Sequence, residues 1–275
     1  MSTPFDADAL GELYDRARRL EDAGDIEGAA ALFHACLAMD PDDHCGVVMR
    51  LAGHGLAAPQ TAPPAYVATL FEQHADAFDE ILVTRLGYDV PALARRLVDA
   101  HPPPHPAPAG ALRILDLGCG TGLAGVAFSD LSCHITGLDL AEGMLALADE
   151  RGVYTDLYVG EAVAFMAGWD EVPFDLVIAA DVWPYLGELE PFASAASHCL
   201  AAGGRLVASS ERAAPGATFA VTPTQRFAHG TDYVRRVLGA AGFAIDATEP
   251  ITVRHEEGVP VAGDLVLAQR ATDGG

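Results

Sequence analysis

Basic side chains are scarce in this chain of 275 residues, which carries 16 Lys and Arg residues in total against 39 Asp and Glu residues. The formal net charge is −23, and no cluster of basic residues offsets the acidic excess. Such a surface would repel the phosphate backbone of a nucleic acid, so we do not expect nucleic acid as a substrate. A general adaptation for solubility explains the acidic excess equally well.

Cysteine pairs, long apolar runs and a secretory leader are also missing. The five cysteines are scattered without a C-x-x-C pair, which is typical of reduced thiols in a cytoplasmic protein. No run of about 18 apolar residues is present, so we predict neither a membrane span nor a membrane partner. The opening residues are acidic, and we expect no signal peptide. His101 and His105 lie in a proline-rich stretch without further ligand residues, so we predict no metal site.

The most informative stretch is 112–121, which reads LRILDLGCGT and continues into Gly122. Apolar residues that end at alternating glycines predict a buried parallel strand feeding a tight turn, and a short apolar helix follows. The dinucleotide-binding pattern would need a glycine where Leu123 stands. Asp116 would repel a pyrophosphate and suits a ligand with a positively charged amino group.

The segment DLGCGTG, residues 116–122, resembles motif I of the class I S-adenosylmethionine (SAM)-dependent methyltransferases, and the likeness extends over about residues 66–270. It implies an α/β fold: a Rossmann-like, doubly wound sheet of seven strands, the last one antiparallel. It also implies SAM as the cofactor and S-adenosylhomocysteine (SAH) as the product. The motif residues that it assigns to the cofactor are Asp116, Gly118, Cys119 and Gly120.

Later strand ends complete the predicted cofactor site. Asp139 follows the second predicted strand, where an acid can accept hydrogen bonds from both ribose hydroxyls, and Leu140 comes next. By the resemblance, Glu161 and Ala162 offer an acid and a backbone N–H to the edge of the adenine. The alternative interpretation of Glu161 is an ordinary acid at the start of a helix.

An aromatic helix is predicted before the glycine turn. Methyltransferases of the resembled class often carry a comparable helix with an aromatic–Asp pair, here Phe78–Asp79, that covers the cofactor. By that resemblance Tyr66, Phe71 and Tyr88 line the pocket, and Tyr66 is assigned to the cofactor. The alternative is that these aromatic side chains belong to the core.

The methyl acceptor is expected beyond the carboxyl end of the apolar strand 174–180, because ligands of open α/β sheets bind there. Asp181 follows this strand as a candidate contact to the sulfonium or as a catalytic base. Tyr185 is placed to shape the methyl channel. Arg226 and His229 occupy an irregular loop, where arginine can clamp an anionic group and histidine can take a proton.

Three bases are available for removing a proton from the acceptor, namely Asp181, Glu211 and His229. We favour His229, because its ordinary pKa suits neutral pH. Replacing it with alanine should then lower turnover and leave cofactor affinity nearly unchanged. The alternative for both His229 and Arg226 is a structural hydrogen-bonding role.

Three regions follow from the pattern: a helical module at 1–58, lid helices with a proline-rich hinge at 59–110, and a SAM-binding domain at 111–275. Residues 23–43 resemble the second half of a tetratricopeptide repeat. A single repeat cannot bury its own apolar face. The module therefore packs on the rest of the chain or a second copy, or it recruits another protein.

Motifs for covalent catalysis, such as G-x-S-x-G, are absent. Methyl transfer from a sulfonium is an in-line displacement, which depends on alignment in a dry site rather than on a triad. The sequence thus predicts an enzyme that moves a methyl group from SAM to an O or N atom, less readily to C or S, of an unidentified small molecule or protein. The alternative is a non-catalytic binding or assembly protein that uses its helical N-terminal region for protein contacts.

Overall fold

The structure is a computed structural model that describes residues 6–73, 79, 86–102 and 112–272. Phe78 of the predicted aromatic–Asp pair lies outside this part of the chain. The helices are α1 (Ala7–Asp22), α2 (Ile26–Met39), α3 (Val47–Gly53), α4 (Pro64–Glu72), α5 (Val90–Ala100), α6 (Leu123–Phe128), α7 (Glu142–Glu150), α8 (Ala162–Ala167), α9 (Glu190–Cys199) and α10 (Thr231–Ala240). The strands are β1 (Leu112–Leu117), β2 (Ser132–Asp139), β3 (Asp156–Val159), β4 (Phe174–Ala179), β5 (Leu200–Arg212), β6 (Phe219–Val221), β7 (Phe227–His229), β8 (Phe243–Glu256) and β9 (Val259–Arg270).

The N-terminal helices form where the capping signals place them. The Asp25 carboxylate accepts a hydrogen bond from the Gly28 N–H at 2.9 Å and so caps α2, which ends at Met39, before Pro41. The module has its own apolar cluster around Phe33, which is 1% exposed. A helical N-terminal module is therefore confirmed, whereas its likeness to a tetratricopeptide repeat stays a prediction.

The third helix joins this module to the rest of the chain. Met49 on α3 is fully buried in a cluster with Ala62, Val67, Tyr185 and Phe227, which lie on four other segments. The module therefore packs on the sheet domain, one of the arrangements that the sequence left open. Any contact with a partner protein or a second copy stays a prediction.

The connector that follows the module is bound to the segment after β4 by backbone hydrogen bonds. The Ala62 N–H donates to the Tyr185 carbonyl at 2.9 Å, and the N–H groups of Gly187 and Glu188 both donate to the Gln60 carbonyl, at 2.8 and 2.9 Å. Backbone bonds of this kind fix the path of the chain independently of side-chain identity. The connector consequently has a defined position over the sheet.

The strands run in the order β3-β2-β1-β4-β5-β7-β6, with β9 antiparallel to β5 and β8 antiparallel to β9. The first five strands of this order are parallel, and Asp116 on β1 lies opposite Gly137 on β2 and Ile178 on β4. The carboxyl ends of β1, β2 and β4 are therefore level. Open sheets of this type bind ligands at that edge.

The described part of the sheet has nine strands, so the predicted count of seven is wrong. The difference comes from β6 and β7, a short hairpin within residues 218–230 that the sequence indicated as irregular. Each of these strands has three residues, too few to show an alternating pattern. Within the hairpin the Phe219 and Phe227 rings pack with their centroids 5.9 Å apart, and β7 also pairs with the end of β5.

Both faces of the central strands are buried, as expected of a parallel sheet covered by helices. On β1, Leu115 faces a cluster that includes Phe192 of α9, and Ile114 faces one that includes Leu97 of α5. Within the described ranges, no helix has the length and apolar character needed to cross a membrane.

We expect Met49→Ala to lower the free energy of unfolding by about 2–5 kcal/mol, because it empties a buried site between the module and the sheet domain. Met39→Ala is the matched control, since Met39 is 37% exposed and its loss should change stability by less than about 0.5 kcal/mol. Urea unfolding monitored by circular dichroism measures both. Equal, small effects would show that α3 contributes little to the packing.

Candidate active site

A cavity of about 160 Å³ lies at the carboxyl ends of β1, β2 and β4. The glycine turn after β1 forms its floor, and α4 with the preceding connector closes one side. Most of the predicted cofactor residues line it: Asp116, Gly118, Cys119, Gly120, Asp139, Leu140, Glu161, Ala162 and Asp181. The cavity is also lined by Phe71, Tyr88, Tyr185 and Arg226.

The glycine turn has the left-handed backbone that its sequence indicates. Gly118, Gly120 and Gly122 have φ values of 58°, 52° and 89°. A Cβ at Gly118 would lie 2.9 Å from Val182 Cγ2, so the turn also passes close to the segment after β4. Side chains are excluded here for conformational and steric reasons, which leaves bare backbone facing the cavity.

Asp139 connects the glycine turn with the start of α7. One carboxylate oxygen accepts from the Gly120 N–H and the other from the Ala141 N–H, both at 2.9 Å. Burial raises the pKa of Asp139, and these two hydrogen bonds oppose the rise. A carboxylate can accept about four hydrogen bonds, so Asp139 retains capacity for a ribose hydroxyl, and this role stays a prediction.

Asp116 is 1% exposed, and its carboxylate accepts a hydrogen bond from the Tyr154 hydroxyl at 2.6 Å. Burial raises its pKa to about 7, although the Tyr154 bond favours the charged form. The group is therefore close to half ionised at neutral pH. A bound ammonium group would favour the ionised form.

Glu161 caps α8, since its two carboxylate oxygens accept from the N–H groups of Val163 and Ala164 at 2.9 and 2.7 Å. This is the helix-start role that the sequence left as an alternative. Because Glu161 and Ala162 also line the cavity, the predicted contact with adenine stays open. Cys119 is nearly buried, and burial raises the pKa of its thiol, so it is an apolar part of the wall.

Tyr66 does not line the cavity, in contrast to the prediction from the resemblance. Its ring packs on the backbone of Gly46, where an added Cβ would lie 2.4 Å from the ring. Phe71 and Tyr88, the other two aromatic candidates, do line the cavity. The left-handed Gly46, with a φ of 69°, admits the Tyr66 ring between α3 and α4.

Asp181, Tyr185 and Arg226 meet at one end of the cavity. Asp181 has a φ of 64°, a strained value for a non-glycine residue, and its N–H donates to Ser209 Oγ at 2.8 Å. One of its carboxylate oxygens accepts from Arg226 Nη1 at 3.0 Å. The guanidinium carbon of Arg226 lies 5.4 Å from the centre of the Tyr185 ring.

Two polar atoms of the described cavity lining have no hydrogen-bond partner. They are the Oδ1 atom of Asp181 and the hydroxyl of Tyr185, and both are shielded from solvent. Burial raises the pKa of Tyr185 to about 12, so its hydroxyl keeps its proton. Unpartnered buried polar atoms cost stability, so their occurrence beside a cavity points to a ligand that satisfies them.

Arg254 and Glu211 extend this end of the site into the protein. Arg254 on β8 is 1% exposed, and its Nη2 atom lies 2.7 Å from Glu211 Oε1. The same carboxylate oxygen lies 4.0 Å from Arg226 Nη1. Burial opposes the charge of Arg226, but the carboxylates of Asp181 and Glu211 outweigh it and raise the pKa of Arg226, so the guanidinium stays charged.

His229, the favoured base in the sequence interpretation, does not line the cavity. It is 1% exposed, with Nε2 2.7 Å from the Leu186 carbonyl and Nδ1 3.1 Å from Ser210 Oγ. Burial lowers its pKa to about 4, so the ring is neutral at pH 7. A carbonyl oxygen can only accept a hydrogen bond, so the Nε2 atom that faces Leu186 carries the proton. His229 therefore holds the Leu186 segment in place and is not positioned to take a proton from the methyl acceptor.

Helix α4 and Asp79 contact the segments that form the cofactor end of the site. The Glu72 carboxylate accepts from the Gly143 N–H at 3.0 Å, at the start of α7. Asp79 accepts from the Thr121 hydroxyl at 2.5 Å and pairs with Arg151. The Asp of the predicted aromatic–Asp pair thus contacts the glycine turn, and the predicted covering of the cofactor stays a prediction.

The residues that sequence reasoning missed are Tyr154, Arg151 and Arg254. Each acts through a contact with a residue 30 or more positions away: Asp116, Thr121 and Glu211, respectively. The arginines stand near no motif, and Tyr154 reads as the start of an ordinary strand. Pattern alone carried no signal for them.

Residues 115–206 match the family model described as a methyltransferase domain. The ubiquinone biosynthesis O-methyltransferase of Maricaulis maris is 34% identical over 100 residues, which are 35% of this chain and 39% of that protein. The protein of the same description from Xylella fastidiosa is 28% identical over 135 residues, which are 48% of this chain and 52% of that protein. The chain thus matches about half or less of the length of these relatives.

Among solved structures, a Thermotoga maritima SAM-dependent methyltransferase, described as a possible histamine N-methyltransferase, superposes with a TM-score of 0.53. The match is 16% identical and covers 74% of this chain and 99% of that one, and it shows the fold alone. The family match supports a methyltransferase domain with SAM as its cofactor. The superposition supports its Rossmann-like sheet and nothing further. These predictions from the sequence are confirmed.

The residues of the cavity fit this cofactor. The glycine turn has no side chains that would keep a ligand away from its backbone. Asp139 can accept hydrogen bonds from a ribose. The buried Asp116 has no cationic partner among the described residues, so it can pair with an ammonium group. An amino acid ammonium and a nucleoside are the groups that such a donor and acceptor set accommodates.

We expect SAH to bind up to about tenfold more tightly at pH 8 than at pH 6, because its ammonium group favours the ionised form of Asp116. Calorimetric titration measures the affinity at each pH. Asp116→Asn should bind more weakly and lose this dependence, whereas Asp149→Asn, which alters an exposed acid on α7, should retain it. A wild-type affinity that does not change with pH would contradict the role of Asp116.

In the absence of ligand the same pKa predicts the opposite trend for stability. The folded-state pKa of about 7 lies above the ordinary value for aspartate, so the contribution of Asp116 is present at acidic pH and is lost as pH rises to about 7. Unfolding of the wild type and of Asp116→Asn in urea, from pH 4 to pH 8, measures the difference. An equal pH dependence in the two proteins would contradict the assignment.

Proposed function

We propose that this protein is an enzyme that transfers the methyl group of SAM to an oxygen atom of a small-molecule acceptor. The observation that carries the proposal is one continuous cavity with the glycine turn, Asp116 and Asp139 at one end and Asp181, Tyr185 and Arg226 at the other. The names of the relatives, O-methyltransferases, support oxygen as the acceptor atom.

In this proposal the protein binds, aligns and shields the reactants. SAM supplies an electrophilic methyl group, and the chain holds its ammonium through Asp116 and its ribose through Asp139. The connector and α4 close the side of the cavity, which excludes water and keeps the acceptor oxygen in line with the methyl group. Asp181 takes the proton of the acceptor, because its Oδ1 atom has no other described partner.

The acceptor end argues for a small molecule and against nucleic acid. Asp181, Glu211, Arg226 and Arg254 form a chain of ion pairs there, and Glu256 also pairs with Arg254, so both arginines already have acidic partners. A phosphate backbone would find no free cation among these groups. The proposal therefore keeps the expectation that nucleic acid is not a substrate.

We expect Asp139→Asn to weaken SAH binding tenfold or more, since it replaces a charged acceptor by a neutral one, a loss of about 1.5 kcal/mol. Asp149→Asn should bind as tightly as the wild type, because this exposed acid removes an equal charge nearby. Calorimetric titration with SAH compares the three proteins, and thermal melts check that each is folded.

Two outcomes would contradict the proposal. A folded wild type that binds neither SAM nor SAH would leave the cavity without its cofactor. A folded protein that binds SAM but forms no SAH with any oxygen acceptor would favour the non-catalytic binding protein instead.

A further inference from the structure

The charge of the cavity limits what the acceptor can be. Four carboxyl groups line the cavity, those of Asp116, Asp139, Glu161 and Asp181, and Arg226 is the one cationic residue among the described lining. Arg226 already lies 3.0 Å from Asp181 and 4.0 Å from Glu211. No cationic group of the described lining is left for an anionic acceptor, so a carboxylate or phosphate there would be repelled.

The wall beside Arg226 is apolar and partly aromatic. The rings of Phe71 and Tyr185 meet edge to face, with their centroids 5.6 Å apart. Val67 and Leu186 line the cavity near them. A flat apolar molecule with a small polar group fits such a wall, because aromatic rings pack well at offset or edge-to-face geometries.

The two unpartnered atoms indicate the polar group. Asp181 Oδ1 can only accept a hydrogen bond when ionised, whereas the protonated Tyr185 hydroxyl can donate one. A hydroxyl group satisfies both at once, since it donates its proton to Asp181 and accepts from Tyr185. A methyl ether or a carboxylate cannot donate to Asp181 and leaves that atom unsatisfied.

The strength of the base distinguishes the kind of hydroxyl. A carboxylate is a weak base, and it can take a proton far more readily from a phenol, with a pKa near 10, than from an aliphatic alcohol. Arg226 donates a hydrogen bond to the other carboxylate oxygen of Asp181, which holds the base in position. The weakness of the base therefore favours an aromatic hydroxyl.

We propose that the methyl acceptor is an uncharged phenol whose hydroxyl is held between Asp181 and Tyr185. This inference rests on the proposed function and deepens it. The phenol proton passes to Asp181 Oδ1, and the oxygen forms a bond to the methyl carbon as the carbon–sulfur bond breaks. The bonding pair goes to sulfur, which gives SAH and an aryl methyl ether.

Three matched probes test the charge and the hydroxyl separately: methyl 4-hydroxybenzoate, 4-hydroxybenzoate and methyl 4-methoxybenzoate. Each is titrated into the wild-type protein saturated with SAH, and SAH formation from SAM is measured with the two hydroxyl compounds. We expect the uncharged phenol to bind at least tenfold more tightly than the anion and the methyl ether, and to support faster SAH formation.

A variant pair locates the hydroxyl. Tyr185→Phe should weaken binding of methyl 4-hydroxybenzoate about three- to tenfold while SAH affinity stays unchanged, because it removes a single hydrogen-bond donor. Tyr158→Phe is the matched control, since Tyr158 is 42% exposed on β3 and should change neither affinity. Equal phenol binding by Tyr185→Phe would overturn the assignment of Tyr185.

The outcomes separate this inference from the proposed function. If SAH binds but the anion binds as tightly as the uncharged phenol, or if neither phenol binds, the acceptor class is wrong and the cofactor assignment stands. If SAH itself does not bind to the folded protein, the proposed function fails, and the acceptor proposal fails with it.

Discussion

The left-handed backbone of the turn after β1 is the constraint on which the rest of the site depends. Three glycines with positive φ let the chain reverse within a few residues and pass close to both Val182 and α7. A residue with a Cβ would strain the backbone there and collide with Val182. Since the Gly120 N–H then meets Asp139, the turn joins the ends of β1 and β2 into one wall of the cavity.

The two ends of the cavity differ in how their charges are compensated. At the cofactor end, Asp116 and Asp139 accept hydrogen bonds from uncharged donors only. Their negative charge is therefore not compensated by the protein and can attract a positively charged nucleoside. At the acceptor end, carboxylates and guanidinium groups alternate from Asp181 inward to Arg254. Buried pairs of this kind gain little net stability, and their value lies in fixing the position of Arg226.

Much of this arrangement could be predicted from the sequence, because it follows from local pattern. Apolar runs ending at Asp116 and Asp139 locate strands and their carboxyl ends, and parallel strands bring those ends to a common edge. The failures are of another kind. His229 was predicted from its residue type and Tyr66 from the family resemblance. The burial of His229 and the contact of Tyr66 with Gly46 depend instead on contacts between separate segments of the chain. The hairpin of β6 and β7 could not be predicted because each of its strands has only three residues, too few to show an alternating pattern.

The central claim is that the glycine turn with Asp116 and Asp139 forms the SAM site, and a crystal structure of the SAH complex tests it most directly. The account predicts the ribose hydroxyls within hydrogen-bond distance of the Asp139 carboxylate, the ammonium group on the Asp116 side, and the sulfur directed toward Asp181 and Tyr185. SAH bound elsewhere, or bound with its ribose away from Asp139, would contradict the account.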